Sequence, residues 1–144
     1  MGCMDDPTSP ARTFTAVLTV DQGVPAPTVP AGYVGAGAAT CSADGTRFSC
    51  EVAYTGLTSA PTAAHIHIGS AGVAGNVRVN LCGAGTAPAC PGTTAGTITS
   101  GAQLPTGGTY APTLTSMQEF GAFVNVHTAG NVGGEIRGQL FGVH

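Results

Sequence analysis

Three of the four histidines in this chain of 144 residues fall in two short apolar segments. Ala64-His65-Ile66-His67-Ile68 sets two imidazoles two residues apart, and Val124-Asn125-Val126-His127 ends on a third. On an extended strand residues two apart share a face, so His65 and His67 project together while Ile66 and Ile68 turn to the interior. Imidazole nitrogens hold transition metals at about 2 Å, and ligation by imidazole alone selects copper or zinc over calcium or magnesium. The residues alone leave copper and zinc both open. His127 adds a third nitrogen if its strand neighbours theirs; read alone, it is an ordinary hydrogen-bonded histidine at a strand end. His144, the last residue, is either a fourth ligand or a solvated tail, and its terminal position favours the tail.

A second stretch with chemical potential is Gly133-Gly134-Glu135-Ile136-Arg137-Gly138-Gln139-Leu140. At period two, Ile136 and Leu140 face the core and Glu135, Arg137 and Gln139 face away from it. If this strand returns beside that of His127, the Arg137 guanidinium overhangs the histidines and draws a small anion to the metal. Otherwise Arg137 pairs with Glu135 or another carboxylate at the sheet edge.

Other chemistries lack their residues. Four arginines, no lysine and a net charge of −3 exclude the clustered basic surface that nucleic acids require. No Gly-x-Ser-x-Gly elbow anchors a hydrolytic triad, and the glycine-bearing stretch 69–75 lacks the lysine of a phosphate loop. Asp21, Glu119 and Glu135 show no paired-carboxylate spacing for glycoside hydrolysis.

The elements that must position these residues read as strands. With 8% charged residues, 23 glycines and 10 prolines, the chain has too few long polar side chains for amphipathic helices. No apolar run approaches the ~18 residues of a membrane span. Phe14, Ala16, Leu18 and Val20 alternate with mostly threonine, the pattern of a half-buried strand over 13–20. Further strands are expected over 33–42, 46–55, 63–68, 76–81, 96–100, 121–127 and 135–143, and one helical turn over 114–120. About eight strands at this spacing predict an all-β fold, a Greek-key β-sandwich or closed barrel. Residues 1–12 read as a flexible linker and 13–144 as one domain; an open sheet edge is where two copies would pair into a homodimer.

Cys41 and Cys50 flank an Asp44-Gly45 hairpin signal, and Cys82 and Cys90 bracket a glycine- and proline-bearing loop. Two disulfides are expected in place of four buried free thiols, which sets the chain in an oxidising compartment. Cys3, beside Gly2, looks like the maturation point of a bacterial lipoprotein, with Met1 standing in for the leader. The expected location is therefore the bacterial periplasm or cell surface, with a lipid on Cys3 as the membrane attachment.

The histidine segments, taken with Val124-Asn125-Val126-His127-Thr128 and Gly133 to Leu140, resemble the CHRD (chordin) domain family over roughly residues 13–143. That family implies a β-sandwich in secreted proteins and lipoproteins. A fainter resemblance is to copper/zinc superoxide dismutase, whose His-x-His strand, Val-Val-His strand end and late Gly-Asn-x-Gly…Arg…Gly segment look like His65/His67, His127 and Gly130-Asn131…Arg137-Gly138. It implies a dismutase-like fold, copper ligands at the three histidines, superoxide as the small anion and Arg137 as the catalytic group guiding it. No histidine between Gly69 and Gly121 supplies a bridging ligand, so the implied centre is copper-only. The alternatives are copper storage or delivery without catalysis, and a metal-free adhesion or interaction module.

Overall fold

Period-two alternation builds the first strand of the computed structural model, which describes residues 10–144. Strand β1 (Thr13–Leu18) buries Phe14, Ala16 and Leu18 and turns Thr13, Thr15 and Val17 outward. β2 (Ala36–Asp44) and β3 (Arg47–Thr55) form the expected hairpin. Its two-residue turn opens on Gly45 at φ 67°, where a glycine escapes the clash that a Cβ would bring. The register sets Cys41 opposite Cys50, and the two are bonded. β4 (Pro61–Ile68) and β5 (Val77–Cys82) follow, and a second disulfide from Cys82 to Cys90 closes the loop after β5. There follow β6 (Gly96–Thr99), helix α1 (Tyr110–Gln118), β7 (Ala122–Thr128), β8 (Ile136–Gln139) and β9 (Phe141–Val143), with short 3-10 turns at Val20–Gln22 and Thr106–Gly108.

The strands make two antiparallel sheets, in the orders β6-β3-β2-β1-β9 and β5-β4-β7-β8. Neighbours distant in sequence, β3 with β6 and β4 with β7, mark the crossovers of a Greek-key sandwich. Phe14, Leu18, Phe48, Val52, Ile66, Leu81, Val124 and Ile136 fill the space between the sheets. Thr19 and Arg137 exchange backbone hydrogen bonds of 2.9 and 3.0 Å, tying the end of β1 to β8 along one side.

Nine strands replace the expected eight because the segment 135–143 divides. Leu140 is buried and its N–H still donates to the Ala122 carbonyl of β7 at 2.9 Å, whereas Phe141 pairs with Thr15 of β1, so the chain leaves one sheet after Leu140 and enters the other as β9. The helix is longer than the turn expected over 114–120. It starts at Tyr110 because Pro112 lies in the first turn, where no intrahelical N–H is required of it. It buries Thr113, Leu114 and Met117. Ala11 is already packed into the core, so the folded region begins inside the stretch 1–12. Cys3 lies outside the described residues.

β7 departs most from simple alternation: every residue of it is buried. Ala122, Val124 and Val126 face the core. Phe123, Asn125 and His127 face away from it and are covered by the loops 69–76 and 129–135, whose carbonyls receive hydrogen bonds from this polar face.

The hairpin disulfide is expected to stabilise the fold by roughly 2.5–3 kcal/mol, the loop-closure value for about ten residues. Equilibrium unfolding in urea of the doubly substituted Cys41→Ala, Cys50→Ala chain tests this; an unchanged midpoint would contradict it.

Candidate metal centre

β4 and β7 pair with Ala63 opposite His127, His65 opposite Asn125 and His67 opposite Phe123. His65, His67 and His127 thus share the outward face of adjacent strands. Pairing of β4 with β5 slips on either side of the His65-Ile66 step, the kind of irregularity that re-aims side chains at strand edges. The ring centroids lie 4.9 Å apart for His65 and His127, 5.3 Å for His65 and His67, and 5.6 Å for His67 and His127. One nitrogen from each ring falls within 4.8 Å of the others.

Hydrogen bonds settle which nitrogens are free. His67 Nδ1 lies 3.0 Å from the Gly75 carbonyl and His127 Nδ1 lies 2.9 Å from the Val132 carbonyl. A carbonyl only accepts, so each Nδ1 carries the proton and donates, and each Nε2 keeps its lone pair. His67 Nε2 is buried without a hydrogen-bond partner. His127 Nε2 has His65 Nδ1 at 3.1 Å. A buried acceptor left bare costs about 1–3 kcal/mol, which a bound ion removes. Two nitrogens bonded to one ion at about 2.0–2.1 Å stand roughly 3–4 Å apart. The closest pair already stands at that spacing, as a hydrogen bond in which His65 Nδ1–H donates to His127 Nε2, so His65 gives up that proton or shifts it to its own Nε2 where both nitrogens face one ion. These residues fit a transition metal, and the described cysteines, all in disulfides, are not available to it.

Burial, then the charges of His127 and His67, pushes His65 down to about 4. Burial lowers His67 too, the Gly75 hydrogen bond opposing it and the charges of His127 and Arg137 adding to it. Burial lowers His127 against its bond to Val132. All three are neutral at pH 7, the state that binds metal.

Arg137 takes neither of its expected positions. Its strand does return beside β7, opposite Asn125, but the guanidinium lies 3.4 Å over the Phe123 ring. His67 stacks on the same ring at 5.0 Å and 4°. Nη2 donates to the Ser70 carbonyl at 3.0 Å and to Gln139 Oε1 at 3.4 Å, while Nη1 is buried without a partner. A planar, weakly hydrated guanidinium gains from the aromatic face and the carbonyl, so it stacks there instead of over the imidazoles. Its charge still reaches His67. It also borders a cleft of about 260 Å³ with Asp21, Gln22 and Gln139.

Glu135 does not pair with Arg137 because five donors claim it: the Tyr33 hydroxyl at 2.7 Å, the Thr58 N–H at 2.8 Å and hydroxyl, the Thr128 hydroxyl at 2.7 Å and the Asn131 amide at 3.3 Å. Burial raises its carboxyl, but these hydrogen bonds outweigh that and hold it below the usual range. Burial and the neighbouring carboxylate push the Tyr33 hydroxyl up. His144 follows β9 at the margin of the other sheet and is not part of the trio. Sequence reasoning missed Phe123 and Asn125, although period two places both on the face of His127. It had no signal for the Gly75 and Val132 carbonyls.

The family model for the CHRD domain matches residues 14–140, a stretch holding all three histidines, Arg137 and both disulfides. No curated protein matches the chain, and no solved structure does.

An imidazole whose pKa falls on folding makes the unfolded chain the better proton acceptor, so stability declines as pH drops from about 6.5 toward the lowered folded values. The metal-free protein is expected to lose stability steadily between pH 7 and 5, and His65→Asn to flatten part of that slope. Glu135 adds a further loss as pH falls from the ordinary carboxylate value toward its lowered folded one. Thermal unfolding across this interval checks the sign; a midpoint independent of pH would contradict it.

Proposed function

The chain belongs to the CHRD domain family, and we propose that it acts as a copper protein, binding one ion through His65, His67 and His127. The observation that carries this reading is the bare, buried Nε2 of His67, its tautomer held by the Gly75 carbonyl, beside two further imidazole nitrogens. Imidazole donors favour copper most among the divalent first-row metals, and zinc is the competing occupant. Bound copper supplies a one-electron couple. The protein's part is to keep the donors neutral and pre-oriented.

In this reading the partner is a small anion, superoxide, and Arg137 contributes fixed positive charge from behind Phe123. A net charge of −3 works against long-range steering, so turnover is expected below that of a positively focused site. Two disulfides suit an oxidising compartment, the periplasm or cell surface, where a lipid on Cys3 would hold the domain. A second reading, a metal-independent interaction module, is favoured by the exposed Val17, Phe120, Phe141 and Val143, the last two on an edge strand.

Titration with Cu(II) followed by electron paramagnetic resonance is expected to show one equivalent with nitrogen hyperfine structure, weakened at least about ten-fold by His65→Ala or His67→Ala, since each removes one of three ligands. Absence of a stoichiometric nitrogen-ligated signal would overturn the copper reading and leave the interaction module. Dismutase assays on the loaded protein, with EDTA present to silence released copper, are expected to show activity that drops several-fold in Arg137→Met; activity no higher than that of the metal-free protein would point to storage or delivery instead.

A further inference from the structure

Glu135 carries a buried charge with no cation beside it among the described residues. Such a carboxylate costs several kcal/mol unless hydrogen bonds replace its hydration, so an apolar residue of similar size would be the cheaper way to fill the space. Its donors come from four segments: the loop before β2 (Tyr33), the loop before β4 (Thr58), the end of β7 (Thr128) and the loop after it (Asn131).

The last two bound the turn 129–130, and Val132 follows it in a second turn, from Asn131 to Gly134, that Asn131 opens. Thr128 and Asn131 exchange backbone hydrogen bonds of 3.3 and 3.2 Å, and the Gly134 N–H donates to the Asn131 carbonyl at 2.9 Å. The Asn131 side chain is also fixed to the backbone of Thr28 at 2.8 and 3.0 Å. Val132 itself is 81% exposed, so its own side chain does not anchor it. The Val132 carbonyl, which takes the proton of His127 Nδ1, therefore sits in a turn whose opening residue is held by both Thr28 and Glu135, with Glu135 also holding Thr128.

We infer that Glu135 is a positioning residue for His127: through Thr128 and Asn131 it sets the Val132 carbonyl, which keeps the His127 Nε2 lone pair turned toward the other imidazoles. This rests on reading the trio as a metal centre. The carboxylate does not touch the ring, and its reach is specific. His67 takes its proton acceptor from Gly75, in a loop without a hydrogen bond to Glu135, and so serves as an internal control.

The test is histidine nitrogen NMR on the metal-free protein, which reports each ring's tautomer, together with Cu(II) affinity. Native protein is expected to show His67 and His127 protonated at Nδ1. In Glu135→Gln the His127 signal is expected to move to a mixture of tautomers while His67 stays unchanged, and copper binding to weaken about ten-fold, the usual effect of losing an outer partner of a ligand. A folded Glu135→Gln chain with the native His127 tautomer would overturn the proposal, whatever its copper affinity. If that variant does not fold, Thr128→Val, which removes one donor at nearly constant shape, is read by the same criterion. A tautomer that follows Glu135 in a protein that binds no copper would sink the metal reading and leave the positioning role standing.

Discussion

The hydrogen bonds from His67 Nδ1 to the Gly75 carbonyl and from His127 Nδ1 to the Val132 carbonyl fix where two protons sit, and with them where two lone pairs point. A histidine on a surface strand samples both tautomers and several ring orientations. Here two of three rings lose that freedom to backbone groups, and the third, His65, meets one of them nitrogen to nitrogen. The low dielectric around them works in the same direction, because a protonated imidazole is the costly form under cover. The result is two neutral donors fixed before any ion arrives, with a neutral His65 beside them.

Those carbonyls are in reach because loops fold back over the outward face of the four-stranded sheet. The approach is close enough to require glycine at two points. A Cβ on Gly75 would collide with the Ile68 carbonyl, and one on Gly134, whose φ is 117°, would run into the Asn125 amide. The same cover buries Arg137 and Glu135, charges of opposite sign that do not meet. Phe123 and the Ser70 carbonyl take the cation, hydroxyls and amides take the anion, and each is left to act on a different histidine.

Much of this was legible in the sequence. Period two in Phe14, Ala16 and Leu18 reported a half-buried strand, Asp44-Gly45 reported the hairpin that joins Cys41 to Cys50, and His65-Ile66-His67 reported two imidazoles on one face. The convergence of His127 depended on β4 lying next to β7, a non-local pairing for which the fainter superoxide dismutase resemblance supplied the expectation. What stayed hidden shares a physical character. Backbone carbonyls carry no residue signature, so Gly75 and Val132 were invisible. The partners of Glu135 at Tyr33 and Thr58 come from roughly 80 to 100 residues away, a separation no local pattern reports. Arg137 was read correctly as a residue of the right strand but not as a stacked one, because the aromatic ring that captures it belongs to the neighbouring strand. The break after Leu140 was missed since the alternation of apolar side chains continues through it while the pairing passes from β7 to β1 at Phe141.

The account turns on three rings sharing one ion. The most direct measurement is a copper-soaked crystal recorded on both sides of the copper absorption edge. The anomalous map is expected to place a single peak about 2 Å from nitrogens of His65, His67 and His127. A map with no peak there, or with copper held elsewhere while these rings keep to one another, would contradict it.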